Sequence, residues 1–216
     1  MKNIHILITT IVLFCISTLG FADFNKASEA FIKGDYKTAF SEIKIVAEQG
    51  NTEAQYNLGL MYYNGYGIPK DEEEAFKWYH KAAKQGDASA QYNLGLMYKD
   101  GNGTPQDYKE AFNWLRKSAE LGHAKAQHNL AFMYSKGEGV LKNKKKAFKW
   151  YHKSAEQGFA AAQLNLSVIY GKGDGVLKDL SKAKYWTKKT YENPDADTEI
   201  AEMAESNWSK FELWKY

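Results

Sequence analysis

The sequence predicts an all-α fold, an α/α superhelical solenoid of 36-residue helix-turn-helix repeats, and three observations carry that prediction. A six-residue string recurs without drift, glycine pairs punctuate the chain at the same interval, and the residues between them form apolar stripes at helical spacing. Ala54-Gln55-Tyr56-Asn57-Leu58-Gly59 returns 36 residues later as Ala90–Gly95, then as Ala126–Ala131 and Ala162–Ser167. The same step separates Trp78, Trp114, Trp150 and Trp186, and also Tyr62, Tyr98, Tyr134 and Tyr170. A fixed period of this length is the mark of a stacked-repeat architecture.

Each repeat reads as two helices. In Thr52–Asn64 the apolar positions Ala54, Leu58, Met61 and Tyr62 follow the three-or-four spacing of one helix face. Gly65-Tyr66-Gly67-Ile68-Pro69 then stops that helix, because two glycines and a proline cannot continue it. Asp71 is placed to cap the second helix, with Glu74 completing a capping box, and Asp107 with Glu110 repeats the arrangement. The second helix carries its stripe through Ala75, Trp78, Tyr79, Ala82 and Ala83 and ends at Gly86, a natural left-handed terminator. Ala75, Ala111, Ala147 and Ala183 allow close helix approach, with the aromatic neighbours filling the remaining space. One hairpin alone would expose this face, and stacked copies bury it.

The repeats run near 51–86, 87–122, 123–158 and 159–193. Residues 23–50 form an opening hairpin, Phe24–Lys33 and Tyr36–Gln49 about a Gly34-Asp35 turn, which serves as the N-terminal cap. Residues 194–216 form the C-terminal cap, with Pro194-Asp195 starting a helix through Thr198–Phe211 and with Trp208, Phe211 and Trp214 covering the last open face.

Residues 1–22 read as a signal peptide: Lys2, an apolar stretch from Ile4 to Leu19, and a small-x-small site at Gly20-Phe21-Ala22. Cleavage before Asp23 makes the protein secreted or periplasmic, with no stable membrane span left. The rival reading, a retained anchor, meets a stretch near the lower limit for a span and rich in hydroxyls. The only cysteine, Cys15, lies in this segment, so the mature chain has no thiol nucleophile and no cysteine metal site. Removal of the segment also leaves 28 basic against 26 acidic residues, a near-balance that gives no footprint for nucleic acid or an anionic membrane.

The string Ala-Gln-x-Asn-Leu-Gly, followed by Tyr, Gly-x-Gly, Asp, Ala-x-x-Trp and Lys-Ala-Ala-x-Gln-Gly, resembles the Sel-one-like repeat family, best in Ala54–Gly86 and Ala90–Gly122. The opening Gly34-Asp35-Tyr36 hairpin is closer to the sister tetratricopeptide repeat. The resemblance implies a right-handed superhelix acting as an adaptor or scaffold through protein–protein or peptide binding, with exported bacterial members tied to host-interaction or envelope roles. A cysteine-rich branch is associated with penicillin binding and β-lactamase activity. This chain lacks the repeat cysteines, so it is read as non-catalytic, the alternative being a cell-wall or β-lactam-interacting enzyme.

A partner-binding groove is expected along the first helices, as in tetratricopeptide domains. Its rows hold Tyr56, Tyr92 and His128 with Leu164; Leu60, Leu96 and Phe132 with Val168; and Tyr63 and Lys99 with Ser135 and Gly171. Asn57, Asn93, Asn129 and Asn165 form a ladder beside them, available either to the backbone of an extended peptide or to neighbouring helices. Recurrence in every copy favours the architectural role, whereas the rows that vary are better placed to set specificity.

No catalytic, cofactor or metal site is expected. His123 and His128 are five residues apart and do not share a helix face, and no carboxylate cluster completes a ligand set around them. Ser41-x-x-Lys44 and Ser181-x-x-Lys184 match an acyl-enzyme motif but lack its Lys-Thr-Gly and Ser-Asp-Asn partners. The Gly-x-Gly loops lack the strand and the Gly-Lys-Ser/Thr of a phosphate loop. Lys142-Asn143-Lys144-Lys145-Lys146 is a basic run opening a helix, set against the helix dipole, and reads as a solvated loop or a contact for an acidic partner.

Overall fold

The computed structural model describes residues 24–215, without the side chain of Trp214. The proposed signal segment, with Cys15 and the Ala22–Asp23 junction, lies outside the described residues, as does the capping role of Trp214. Helix α1 covers 24–32. It is followed by α2 (Tyr36–Glu48), α3 (Thr52–Asn64), α4 (Glu72–Lys84), α5 (Ala88–Asp100), α6 (Tyr108–Glu120), α7 (Ala124–Lys136), α8 (Lys144–Glu156), α9 (Ala160–Lys172), α10 (Leu180–Tyr191) and α11 (Thr198–Lys210). A 3₁₀ turn at Leu213–Lys215 ends the described chain, which contains no strand. The architecture is an all-α repeat solenoid. It divides into two compact units, one running to Met97 and including Gly101–Pro105, the other holding Tyr98–Asp100 and everything from Gln106.

The stripes predicted from sequence are the core. Ala54, Leu58, Ala75, Ala82, Ala90, Leu94, Ala111, Leu115, Ala126, Leu130, Ala162, Leu166 and Ala183 are all fully buried. Where the first helix presents a small residue, an aromatic fills the gap. A Cβ on Gly59 would stand 2.7 Å from the Tyr79 ring, too close for any side chain. In the last copy this position is Ser167, whose hydroxyl pairs with Thr187 at 2.6 Å.

Each inter-helix loop is held at two points. Its first glycine closes the helix in the left-handed region, as at Gly65 (φ 75°). Its second glycine lies flat against the start of the preceding second helix. At Gly67, also left-handed (φ 78°), a Cβ would collide with the Tyr36 carbonyl.

Asp71 and Asp107 cap α4 and α6 as expected, accepting from Glu74 N and Glu110 N. The second arm of the predicted capping box is absent. The Asp71 N–H donates instead to the Tyr62 carbonyl, and the same bond recurs from Asp107 to Tyr98, Asn143 to Tyr134 and Asp179 to Tyr170. Glu74, relieved of that role, pairs with Lys77 at 2.6 Å. The last helix also starts later than expected: Asp197 caps it by accepting from Ile200 N, while Asp195 N folds back on Asn193 Oδ1.

Successive hairpins are joined by buried glutamines. Gln55, Gln91 and Gln127 each donate through Nε2, at 3.1 Å, to the carbonyl of Ala47, Ala83 and Ala119 at the end of the preceding helix. Gln163 does the same to Ala155 at 3.3 Å. The carboxamide oxygen then accepts from an amide at the end of the second helix of the same hairpin: Gln85 to Gln55 and Gln157 to Gln127, both at 2.7 Å, and Asn193 to Gln163 at 3.0 Å. The second copy departs from this pattern. Leu121 stands at the donor's register position in the sequence, and Gln91 Oε1 is buried without a partner.

These bonds make a quantitative prediction. Gln157→Leu strips the donor from Gln127 Oε1 and leaves a buried acceptor unpaired, at a cost of about 1–3 kcal/mol. Urea unfolding should show that loss. The double variant Gln127→Leu/Gln157→Leu should lose less than the sum of the single changes, because the orphaned oxygen goes with it.

Candidate functional site

The two units present the predicted first-helix face differently. In the first unit, a cavity of about 480 Å³ opens between α1, α2 and α3. Ala27, Phe31, Ala39, Ile43, Leu60 and Met61 make its wall apolar, and Asn57 supplies a carboxamide. Phe31, Tyr36 and Tyr66 form an aromatic cluster at one edge, with ring centroids 5.0–5.5 Å apart. Ile32 beside them is 84% exposed. Asn64, also on the wall, is committed to the Leu60 carbonyl at 2.8 Å, whereas Asn57 has no hydrogen-bond partner among the described residues.

The remaining first-unit candidates are half-buried. Tyr56 packs on Tyr79 with centroids 5.9 Å apart, and Asn93 faces both phenol hydroxyls. Burial raises both phenols, so they stay protonated as donors. Tyr63 carries Lys70 over its ring at 5.2 Å. Tyr92 and Leu96 are half-buried on the same helix as Asn93.

In the second unit Lys99 is paired with its neighbour Asp100 at 3.3 Å, so it lies at the edge of the row with its charge committed. Phe132 is exposed, and it lines a smaller cavity of about 220 Å³ with Ser135, Tyr151, Asn165 and Val168. His128 is half-buried, like Tyr56 and Tyr92, and its ring is engaged by its neighbours. Its ring stands edge-on to Tyr151 and Phe159 at 5.4 and 5.2 Å. Asn165 Nδ2 lies 3.1 Å from its Nε2 and also donates to the Ala161 carbonyl at 2.9 Å. Asn129 contacts the same ring. With Asn165 donating, Nε2 must accept, which requires the neutral imidazole.

The asparagine ladder therefore divides. Asn93, Asn129 and Asn165 bond to neighbouring side chains or backbone, and Asn57 alone faces a cavity with its amide unused among the described residues. The Ser-x-x-Lys pair at Ser41 does not assemble: Ser41 Oγ donates to the Lys37 carbonyl at 3.0 Å, and Lys44 turns to Glu48 at 3.9 Å. Among the described residues no group of three His, Cys, Asp or Glu side chains is arranged to hold a metal.

What the geometry defines is a helical-hairpin repeat scaffold held by apolar packing and internal amide hydrogen bonds. The Sel1 repeat model matches residues 52–87, 88–123, 124–159 and 160–195 in turn, and the chain belongs to the Sel1 repeat family. It is similar in structure to a Sel1 repeat protein from Oxalobacter formigenes, with 32% identity over 87% of this chain and 84% of that one, at a TM-score of 0.75. It is also similar to c5321, a protective antigen of uropathogenic Escherichia coli strains with an SLR fold, at 30% identity and a TM-score of 0.78. That match covers 96% of this chain and 49% of the other, so the chain spans about half of that relative's length. A Sel1 repeat protein from Klebsiella pneumoniae shares the fold at 18% identity, with 89% and 93% of the two chains covered and a TM-score of 0.53. No curated protein matches the sequence.

His128 carries a pH prediction. Burial pushes its pKa from 6.5 down to about 4. As pH falls, the unfolded chain takes up the proton first, so stability is complete above 6.5 and drains between 6.5 and 4. The loss is about 3 kcal/mol at 1.36 kcal/mol per unit. His128→Leu, which copies the residue at 164, should lack this component. Thermal midpoints of the two proteins should diverge below pH 6 in favour of the variant.

Proposed function

We propose that this chain is an exported, non-catalytic adaptor that holds a peptide or a protein segment on the faces of its first helices. The observation that carries the reading is the first-unit cavity. An apolar enclosure with a single unused carboxamide suits an extended segment that inserts an apolar side chain while its backbone bonds to Asn57. Leu60 forms the floor for that side chain, and Tyr56, Tyr63, Tyr92 and Leu96 extend the surface along α3 and α5. Aromatic, half-buried positions of this kind give contact area at low entropic cost. In the second unit Phe132 is the exposed anchor, with Asn129 and His128 acting from beneath as packing.

Membership of a repeat family supports a scaffold role, and the organisation of c5321 as a protective antigen is a property of that protein. The envelope or host setting proposed for the present chain rests on residues 1–22.

Selection of random peptides on immobilised protein tests the binding reading. Peptides enriched on the wild type should lose at least tenfold in affinity on Leu60→Asp, and fewer-fold on Asn57→Ala, because one hydrogen bond is worth about 0.5–1.5 kcal/mol. Recovery of the same peptides with equal affinity on Leu60→Asp removes the cavity as the site. Export is tested by N-terminal sequencing of the protein from a bacterial envelope fraction: Asp23 is the expected first residue, and a retained Met1 overturns cleavage.

A further inference from the structure

The second unit carries a surface that its architecture does not explain. Leu141 and Leu177 occupy the same position in adjacent glycine loops and are 89% and 90% exposed, so they add nothing to packing. The first two copies hold Pro69 and Pro105 there. Around the leucines, six lysines and no acidic residue fall between 142 and 153, and Lys178 follows Leu177. Lys142, Lys144, Lys145, Lys146, Lys149, Lys153 and Lys178 are all exposed.

The two loops meet on one edge. The second loop lies on the start of α8, where a Cβ on Gly175 would come within 2.7 Å of Lys144 Cβ, and Lys144 pairs with Asp174 at 2.5 Å. Lys145 and Lys149 have no acidic partner among the described residues. Lys146 sits over the Tyr134 ring at 5.3 Å. At the equivalent helix start the first copy has Asp71-Glu72-Glu73-Glu74. Acidic side chains are favoured at a helix N-terminus and lysines are disfavoured there. The basic run thus opposes its own helix, and the leucines oppose solvation, at the same edge of the same unit.

We propose that this edge docks on an anionic phospholipid surface. Leu141 and Leu177 enter the boundary between headgroups and acyl chains, while Lys142, Lys144, Lys145, Lys146 and Lys178 face the phosphates. Exposed apolar side chains ringed by lysine are suited to that boundary, where the apolar group leaves water and the ammonium groups remain in it. Each lysine held near such a surface adds roughly fivefold to binding, and the gain falls with salt. An acidic polypeptide would engage the lysines without needing the two leucines, and this separates the occupants. The contact is peripheral, since among the described residues no helix is long and apolar enough to cross a membrane.

Vesicle flotation of the full chain tests the proposal. Phosphatidylcholine vesicles set a baseline that includes any contribution of the apolar stretch at 4–19, and vesicles also containing phosphatidylglycerol report the excess due to negative charge. The wild type should float at least fivefold more with the anionic vesicles. Leu141→Ser/Leu177→Ser and Lys145→Glu/Lys146→Glu should each lose most of that excess, with circular dichroism showing both to be folded. No excess for the wild type overturns the proposal. So does an undiminished excess in the leucine variant, particularly if the variant still binds polyglutamate as the wild type does, because the edge then serves an acidic polypeptide.

Discussion

The buried glutamine is the constraint on which the stack depends. A helix end leaves carbonyls without intrahelical partners, and in a solenoid those ends meet the next hairpin out of reach of water. Gln55, Gln91, Gln127 and Gln163 each give such a carbonyl of the preceding hairpin a second bond beside the one it takes from a glycine N–H, and three of them also accept an amide N–H from the far end of their own hairpin. The apolar stripes give the hairpins a reason to associate, but hydrophobic contact is non-directional. The glutamine bonds, together with the loop glycine set on the preceding helix start, supply the register. A hairpin shifted by one residue along its neighbour would bury amides and carbonyls without partners.

Much of this was legible in the chain because periodicity exposes it. The bounds of α3, the alanines at 75, 111, 147 and 183, and the glycine turns all follow from spacing. The glutamine ladder was in plain view as the second letter of the repeated string, yet nothing in one sequence distinguishes a buried glutamine from a solvated one. The signal was the residue 30 positions later, at the end of the second helix: Gln85, Gln157 and Asn193 are all amides, with Leu121 the exception. The capping-box expectation failed for a related reason. Ser, Thr or Asp with Glu three residues on is a local pattern, and here the N–H it would satisfy is claimed by the tyrosine carbonyl of the other helix in the hairpin.

The binding face was harder to read, and His128 shows why. It occupies the same register position as Tyr56, yet Tyr151, Phe159 and Asn165 enclose it and hold it neutral. Register fixes which helix face a residue occupies. It does not fix whether the neighbouring aromatic side chains close over that face. The opposite holds at Asn57, where α1 and α2 form a cap of different shape from a standard hairpin and leave the amide beside a cavity. The larger of the two cavities on the predicted surface therefore lies where the periodic pattern stops.

Charge follows the same logic. Summed over the chain, basic and acidic residues nearly cancel, and that balance hides their segregation. The acidic start of α4 and the basic start of α8 occupy one register position with opposite sign. A repeat array is well suited to this arrangement, because helix starts are solvent-exposed and each copy contacts only its neighbours. A change of sign in one copy costs a fraction of a kcal/mol per residue against the dipole and leaves the packing untouched. Positions that recur in all four copies are occupied with holding the stack together, and those that change are free of that duty. Phe132, Leu141 and Leu177 belong to the second group, so most of the contacts proposed for this molecule fall on its departures from the repeat.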